Sequence, residues 1–135
     1  MKVSIVTLSF NQAAWLEQAI RSVVEQDYGD IEYIVVDPGS TDDSREIIAR
    51  YRDRIATFID TPDEGPPDGL NKGFAAATGD IYAYVNADDA LLPGAIREAV
   101  AVFERHPEID IVIGHGFIVD GDGKVIRRFR SAPFT

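Results

Sequence analysis

Two adjacent carboxylates at the end of an apolar run are the residues best suited to chemistry in this sequence. Asp88 and Asp89 follow the run IYAYV, separated from it by Asn86 and Ala87. Neighbouring carboxylates repel each other unless a positive charge lies beside them. A hard divalent cation, Mg²⁺ or Mn²⁺, held by these oxygens together with ligand phosphates and water, would supply that charge. The alternative interpretation is a helix N-cap, because the segment DDALLPGAI leads into a helix.

Other polar side chains follow two further apolar runs. Asp37 comes directly after IEYIVV, and a loop rich in Pro, Gly and acids fills residues 61–69. As a turn residue Asp37 would accept hydrogen bonds from backbone amides, and as a ligand-binding residue it would accept them from a nucleotide base or ribose. Asp68 and Asn71 could contact a sugar and Lys72 a phosphate, although taken alone this segment is interpreted as a solvated loop.

The elements that position these residues are predicted from hydrophobic periodicity. Strands are predicted at KVSIVTL, IEYIVV, IATFID and IYAYV, and IDIVIGHGF predicts a fifth strand that enters a hairpin across residues 120–124. Helices are predicted at QAAWLEQAIRSVVEQ, around 47–51, at LNKGFAAAT and over 93–107. This order predicts an α/β domain over residues 1–135, layered α/β/α with a mostly parallel, Rossmann-like sheet. Ligands bind such folds outside the carboxyl ends of the strands, where the acids described above lie.

The helix ends are predicted from their flanking residues. Asn11 is predicted as the N-cap of the first helix, and Ser40 or Thr41 as the N-cap of the second. Gly79 is predicted to end the third helix as its C′ residue.

Composition and charge exclude several classes of protein. The chain is 45% hydrophobic and 27% charged, as soluble globular proteins are, and holds no run of 18 apolar residues. A net charge of −10 argues against nucleic acid as a partner. The absence of cysteine excludes disulfides and thiolate metal sites and fits a cytoplasmic location. A basic cluster, Arg127, Arg128 and Arg130, is interpreted as a solvated strand face or a surface that meets further chain, with phosphate binding as the alternative.

Several ordered motifs resemble one enzyme family. VSIVTLSFNQAAWLEQAIRSVVEQDY followed by IEYIVVDPGSTDDS resembles the opening of the family 2 glycosyltransferases, whose catalytic domain has the GT-A fold. DEGPPDGLNKGFAAATGDIYAYVNADDALLPGAI resembles that family's central block in order and spacing. The resemblance implies a metal-dependent, inverting transfer of a sugar from a nucleoside-diphosphate donor to an acceptor hydroxyl on a glycan, lipid or other molecule. It also implies a role in polysaccharide biosynthesis, in the cytoplasm or at the inner face of the membrane.

The resemblance assigns a role to each matching position on the donor side. Thr7 and Asn11 match the motif that lines the nucleotide pocket, and Asp37 matches the acid that holds the base. The residues that match the loop and helix beside the donor are Asp68, Asn71 and Lys72.

The metal site is implied by the family's DXD motif. Asn86, Ala87 and Asp88 fall on that motif, with Asp89 directly behind it. The resemblance implies that Asp88 binds Mg²⁺ or Mn²⁺ with the diphosphate, that Asp89 is a second ligand and that Asn86 contacts the ribose. Two positions depart from the family pattern, since Asn86 replaces the first acid of the motif and Pro38 stands where a second acid is common.

The catalytic base is expected to lie outside this sequence. Catalytic domains of the family continue well beyond this length, and their acceptor site and general base lie in the later part. We therefore expect the chain to be the donor-binding part of a longer enzyme, with the base beyond Thr135 and with exposed apolar strands that support a homodimer. The alternative is a non-catalytic nucleotide-sugar-binding module or an inactive fragment. A nucleotidyltransferase ranks last, because TLSFNQAA lacks a basic, Gly-rich loop for a triphosphate.

Overall fold

The computed structural model describes residues 1–131, in which strands and helices alternate largely as the sequence predicts. The strands are β1 (Val3–Leu8), β2 (Ile31–Val36), β3 (Thr57–Ile59), β4 (Ile81–Tyr84), β5 (Gly116–Val119) and β6 (Val125–Phe129). The helices are α1 (Ala13–Val24), α2 (Ser44–Arg50), α3 (Pro66–Ala76) and α4 (Ala95–Arg105), with a 3₁₀ turn at Arg52–Arg54. The chain divides into two compact units, the first Met1–Gly94 and the second beginning at Ala95.

The first unit is built on a parallel sheet with the strand order β3-β2-β1-β4. Val3 of β1 lies beside Ile31 of β2 and beside Ile81 of β4, and the registers continue without a shift. The central strands β1 and β2 are nearly continuous apolar runs, as expected for parallel strands covered on both faces. The predicted parallel sheet is therefore present.

Helix α3 covers one face of this sheet at unusually short range. Val6, Ile34 and Val36 form a buried cluster against which Leu70 and Phe74 of α3 pack. Glycines on α3 permit this approach, because a Cβ at residue 73 would lie 2.5 Å from Cγ1 of Val6. A Cβ at residue 69 would lie 3.4 Å from Leu8 and 3.6 Å from Val36, so the first turns of α3 pack against the carboxyl ends of β1 and β2.

The opposite face carries the alternate residues of the same strands. Ile5, Tyr33 and Val35 are buried there. Helix α1 contacts β1 and buries a single stripe of residues, Leu16, Ala19, Ile20 and Val23. The sheet thus lies between two helical layers.

Three predicted element boundaries are wrong. Helix α3 begins at Pro66, four residues before the predicted start, because prolines suit the first turn of a helix, where the N–H has no partner. Gly79 is not a left-handed C′ residue, and its role is close packing, since a Cβ there would lie 2.6 Å from the hydroxyl of Ser4. Residues 111–115 form no strand, because no neighbouring strand pairs with them in the described chain.

The second unit contains the predicted hairpin. Strands β5 and β6 pair antiparallel, with Phe117 opposite Arg128 and Ile118 opposite Arg127. The connecting turn is closed by a bond from the N–H of Asp120 to the carbonyl of Lys124 at 2.9 Å. The arginines are exposed, which agrees with a solvated strand face. Within residues 1–131, no helix has the length and apolar character needed to span a membrane.

Candidate functional site

The carboxyl ends of the parallel strands are tied together by backbone hydrogen bonds that continue past the strands. The N–H of Ser9 donates to the carbonyl of Val36 at 2.9 Å, and the N–H of Ala87 donates to the carbonyl of Leu8 at 3.2 Å. The turns that follow β4, β1 and β2 therefore lie side by side along one edge of the sheet. This is the edge at which α/β proteins bind ligands.

The turn after β4 presents both acids of the predicted metal site. The N–H of Asp89 donates to the carbonyl of Asn86 at 3.0 Å and closes the turn, which the fully buried Ala87 anchors. Asp88 and Asp89 are both exposed. The Nδ2 atom of Asn86 lies 3.5 Å from Oδ2 of Asp89. The order NADD therefore produces a tight turn with two solvent-facing carboxylates.

The electrostatics of this turn favour a cation. Although Asp89 is exposed, partial desolvation of its carboxyl group raises its pKa, and the charge of Asp88 raises it further, whereas the amide of Asn86 lowers it. Both raising effects oppose a second negative charge, and a divalent ion held by these carboxylates would offset them. In the described part of the chain no three or more His, Cys, Asp or Glu side chains are grouped to hold a metal. The pair therefore fits an ion of the Mg²⁺ or Mn²⁺ type whose other ligands are substrate oxygens and water.

Asp37, which the resemblance assigns to a nucleotide base, is fully buried in the turn after β2. Its Oδ1 accepts hydrogen bonds from the N–H groups of Gly39 at 3.0 Å and Ser40 at 2.7 Å. Its Oδ2 accepts from the hydroxyls of Ser40 at 2.7 Å and Ser9 at 3.1 Å. An ionised carboxylate offers about four acceptor positions, and these donors use them all. The geometry agrees with the turn interpretation of Asp37, and its contact with a base stays a prediction.

Asn11 is not the N-cap of α1. The helix begins at Ala13 and is preceded by Gln12, whose side chain makes no capping bond. Asn11 adopts a left-handed conformation with φ 52°. Its Oδ1 accepts hydrogen bonds from the N–H groups of Thr41 at 2.8 Å and Asp42 at 3.4 Å. The N-cap prediction is wrong because this side chain is committed to the neighbouring turn after β2.

The carboxylate of Asp42 accepts hydrogen bonds from the first residues of both α1 and α2. Its Oδ1 accepts from the N–H of Ser44 at 2.9 Å, at the start of α2, and its Oδ2 accepts from the N–H of Ala13 at 3.0 Å, at the start of α1. The hydrogen bond from Ser44 is the larger cause, and that from Ala13 a smaller one, that together hold the pKa of Asp42 below its usual range. The prediction that Ser40 or Thr41 caps α2 is wrong, because the helix begins only at Ser44 and the N-cap position is Asp43, whose side chain makes no capping bond. The acids in STDDS were the sequence signal for this role.

Thr7 lies inside the structure. It is fully buried on β1, and its hydroxyl accepts a hydrogen bond from the hydroxyl of Tyr33 at 2.8 Å. Burial raises the pKa of Tyr33, so this phenol stays protonated and remains the donor. The position of Thr7 therefore does not bring its side chain to the exposed edge with the other predicted residues.

The predicted residues Asp68, Asn71 and Lys72 are brought together on α3. Oδ2 of Asp68 accepts a hydrogen bond from the N–H of Glu64 at 3.0 Å. The ammonium group of Lys72 donates to the carbonyl of Pro62 at 2.8 Å and lies 3.5 Å from Oδ2 of Asp68. The bond from Glu64 and the charge of Lys72 hold the pKa of Asp68 below its usual range. Asn71 is exposed on the same helix.

Phe10 is a site candidate that the sequence patterns did not indicate. It is 57% exposed, whereas large aromatic residues are mostly buried. It stands between Ser9 and Asn11, both of which are hydrogen-bonded to the turn after β2. Its position as the second residue beyond a buried parallel strand was the available signal.

A cleft of about 460 Å³ lies at the other end of the sheet, beside the start of β2. Its walls include Val23, Tyr28, Tyr33 and Arg54, and none of the predicted site residues lines it. The cleft is therefore not part of the candidate site.

Known proteins resemble this chain along almost its whole length. The family model described as glycosyl transferase family 2 matches residues 4–134. An uncharacterized glycosyltransferase of Nostoc sp. strain PCC 7120 is 37% identical over 129 residues, which cover 93% of this chain and 40% of that protein. A GalNAc(5)-diNAcBac-PP-undecaprenol beta-1,3-glucosyltransferase of Campylobacter jejuni is 35% identical over 99 residues, which cover 70% of this chain and 32% of that protein. The chain thus spans less than half the length of these two relatives.

Solved structures share the fold. TarS of S. aureus has a TM-score of 0.72 at 26% identity, over 79% of this chain and 33% of that one. Glucosyl-3-phosphoglycerate synthase from Mycobacterium tuberculosis, in complex with Mn²⁺, UDP and glucosyl-3-phosphoglycerate, has a TM-score of 0.55 at 27% identity, over 64% of this chain and 33% of that one. The predicted layered α/β/α architecture of the GT-A type is thereby confirmed.

Proposed function

This chain belongs to glycosyl transferase family 2, and from that premise we propose that it binds the nucleoside-diphosphate sugar donor of an inverting glycosyltransferase. The observation that carries the proposal is the exposed pair Asp88 and Asp89, which the turn after β4 presents at the ligand-binding edge of the sheet. The whole protein would then transfer the sugar to an acceptor hydroxyl.

A divalent cation at Asp88 and Asp89 is part of the proposal. When bound, Mg²⁺ or Mn²⁺ neutralises the charge that develops on the departing diphosphate. A chain with a net charge of −10 repels an anionic donor, so the acids need such an ion to bind one. The Mn²⁺ in the complex of the similar glucosyl-3-phosphoglycerate synthase supports a divalent ion here.

Exposed or half-buried side chains along the same edge are proposed to contact the rest of the donor. Phe10 offers an aromatic face on which a nucleobase can stack. Asn86 offers an amide to the ribose, and Lys72 offers an ammonium group to the diphosphate. Asp68 and Asn71 on α3 offer acceptors and donors to the sugar hydroxyls.

The transfer step needs groups from elsewhere in the protein. An inverting transfer requires the acceptor hydroxyl to attack the anomeric carbon opposite the leaving diphosphate, while a carboxylate takes its proton. We place that carboxylate and the acceptor site beyond residue 135, because the relatives extend to more than twice the matched length. The name of the Campylobacter relative supports an acceptor carried on a polyprenyl diphosphate, and hence polysaccharide assembly in the cytoplasm at the inner face of the membrane.

Titration calorimetry with and without Mn²⁺ tests the donor site. We expect the chain to bind UDP or GDP only when the metal is present, and Asp88→Ala to abolish that binding. Asp53→Asn is the matched control, because Asp53 is an exposed acid in the 3₁₀ turn Arg52–Arg54, and it should leave the affinity unchanged. Metal-independent binding, or no binding of any nucleoside diphosphate, would contradict the donor-site assignment.

A sugar-transfer assay separates the enzyme from a non-catalytic binding module. We expect no transfer by the 135-residue chain and transfer by a longer protein that contains it. Transfer by the short chain would contradict the placement of the general base, and binding without transfer by the longer protein would favour the module.

A further inference from the structure

We propose that Asp37 and Asn11 are positioning residues, which lock the turn after β1 onto the turn after β2 and thereby fix Phe10 for the nucleoside of the donor. This inference rests on the proposed function, because it concerns how the donor site is shaped. It replaces the direct contacts that the resemblance implied for both residues.

The buried carboxylate of Asp37 joins the two turns. It accepts two amide donors and one hydroxyl from its own turn, and it accepts the hydroxyl of Ser9 from the turn after β1. Since all of its acceptor positions are occupied and no part of it is exposed, a nucleobase N–H could bind it only after one of these bonds broke. Breaking one would leave a buried hydroxyl or amide without a partner, which is costly.

Asn11 also joins the two turns, but it lies in the turn after β1 and bonds to residues of the turn after β2. Its N–H donates to the hydroxyl of Ser40 at 2.9 Å, and that hydroxyl donates in turn to Asp37. Its Oδ1 accepts from the backbone of Thr41. The left-handed conformation of Asn11 lets one residue make both bonds, and Asn is the residue other than Gly that adopts this conformation most readily. The two turns are thus linked through both a carboxylate and an amide.

Phe10 is the residue that these links hold in place. Its neighbours Ser9 and Asn11 are both bonded to the turn after β2, while Phe10 itself is more than half exposed. Fixing the backbone on both sides of an exposed aromatic lowers the entropy that a ligand must remove when it stacks on the ring. The nucleoside part of the donor should therefore depend on the links, and the metal–diphosphate part should not.

Ser9→Ala is the discriminating variant, because Ser9 is only 1% exposed and cannot touch a ligand. Calorimetry in Mn²⁺ would compare UDP and GDP with inorganic diphosphate. We expect the variant to bind the better nucleotide about fivefold more weakly, the effect of one lost net hydrogen bond. Its affinity for inorganic diphosphate should not change. Phe10→Ala should show the same split with a larger loss, whereas a loss of fold would weaken all three ligands together.

Substitutions of Asp37 give a second, independent readout. Asp37→Asn keeps one oxygen for the amides of Gly39 and Ser40, and serine hydroxyls can turn to accept from the new NH₂ group. We expect it to stay within about threefold of the wild type, and Asp37→Ala to lose nucleotide binding. Asp43→Asn is the matched control, since Asp43 is an exposed acid directly before α2 whose side chain makes no capping bond.

Three results would overturn the inference. Ser9→Ala with unchanged or tighter nucleotide binding, together with loss in Asp37→Asn, would show that the carboxylate contacts the base directly. If the wild-type chain binds no nucleoside diphosphate at all, both this inference and the proposed function fail. Wild-type binding that Ser9→Ala leaves intact contradicts the inference alone.

Discussion

Asp88 and Asp89 are adjacent in sequence, but their surroundings give them unequal parts in the proposed metal site. Asp89 closes the turn through its backbone, lies beside the amide of Asn86, and has a pKa raised by burial and by the charge of Asp88. The resemblance places Asp88, and not Asp89, at the final acid of the DXD motif. The negative charge of Asp89 should therefore lower the stability of the metal-free chain more than that of Asp88 does. Asp88 is proposed as the chief ligand of the cation.

We predict that Asp89→Asn stabilises the metal-free chain while it weakens metal-dependent donor binding. A neutral amide removes the repulsion by Asp88, which should raise the Tm in EDTA by about 2 °C, as a few tenths of a kcal/mol do in a domain of this size. Binding of UDP or GDP with Mn²⁺ should weaken about fivefold, against more than about twentyfold for Asp88→Asn, since a carboxylate ligand of a hard cation is lost in each. Thermal unfolding and calorimetry measure the two effects. A lower Tm, or equal losses of affinity, would contradict the unequal roles.

At the scale of residues, the sequence predicted the edge at which the candidate residues lie better than it predicted which of their side chains are exposed. The position of the acids directly after apolar runs was enough to predict the edge of the sheet on which they lie, because the carboxyl ends of parallel strands meet at one edge. The type of a side chain does not say whether it is buried. Thr7 and Asp37 are polar and were expected to face a ligand, yet both are satisfied internally. Phe10 is apolar and was passed over, yet it is exposed.

Helix α3 is the element that brings side chains from outside the sheet to the site. Its small residues allow the helix to lie directly on β1 and β2, so that Asp68 and Lys72 stand close to the carboxyl edge. Gly73 has the closest approach, because both methyl carbons of Val6 lie within 3.0 Å of where a Cβ would be. Packing distance, and not helix propensity, explains a glycine in the middle of this helix.

We predict that Gly73→Ala destabilises the chain by a net of about 1–2 kcal/mol in the free energy of unfolding. The gain in helix propensity is about 1 kcal/mol, and overpacking against Val6 costs more than that. Urea denaturation measures the effect. Val6→Ala makes room for the added methyl group. The double variant should therefore lose less unfolding free energy than the sum of the losses of the two single variants. A Gly73→Ala chain more stable than the wild type would show that propensity dominates and that α3 can move away from the sheet.

At the scale of elements, hydrophobic periodicity predicted the strands and helices that have a regular apolar pattern, and it missed the start of α3, which has none. The four parallel strands and α1, α2 and α4 follow clear apolar patterns and lie close to their predicted places. The segment PPDG at the start of α3 has no apolar period, so its helical start depends on proline at the first positions. Residues 111–113 are a run of β-branched residues, which favours a strand, but such a run does not supply a neighbouring strand with which to pair.

At the scale of the whole molecule, charge is divided between the two units. Residues 1–94 carry 17 of the 23 acids and 7 of the 13 Lys and Arg, so the net charge of −10 belongs to the unit that holds the proposed donor site. The remaining residues carry equal numbers of acidic and basic groups. The first unit attracts divalent cations and repels copies of itself, whereas the second has no such charge to keep other chains away.

The β5–β6 hairpin in the second unit is predicted to drive self-association of the 135-residue chain. Phe117, Ile126 and Phe129 are between 48% and 64% exposed, and a two-stranded hairpin is barely stable in water unless its apolar surface is covered. Sedimentation equilibrium should show a dimer that tightens as NaCl rises, because salt screens the repulsion between two copies of the acidic unit. The double variant Ile126→Lys with Phe129→Lys should be monomeric. Leu92→Lys, which changes an equally exposed apolar residue in the first unit, should leave the dimer intact. A wild-type chain that stays monomeric at high salt would contradict this prediction, and so would a dimer that survives the double variant.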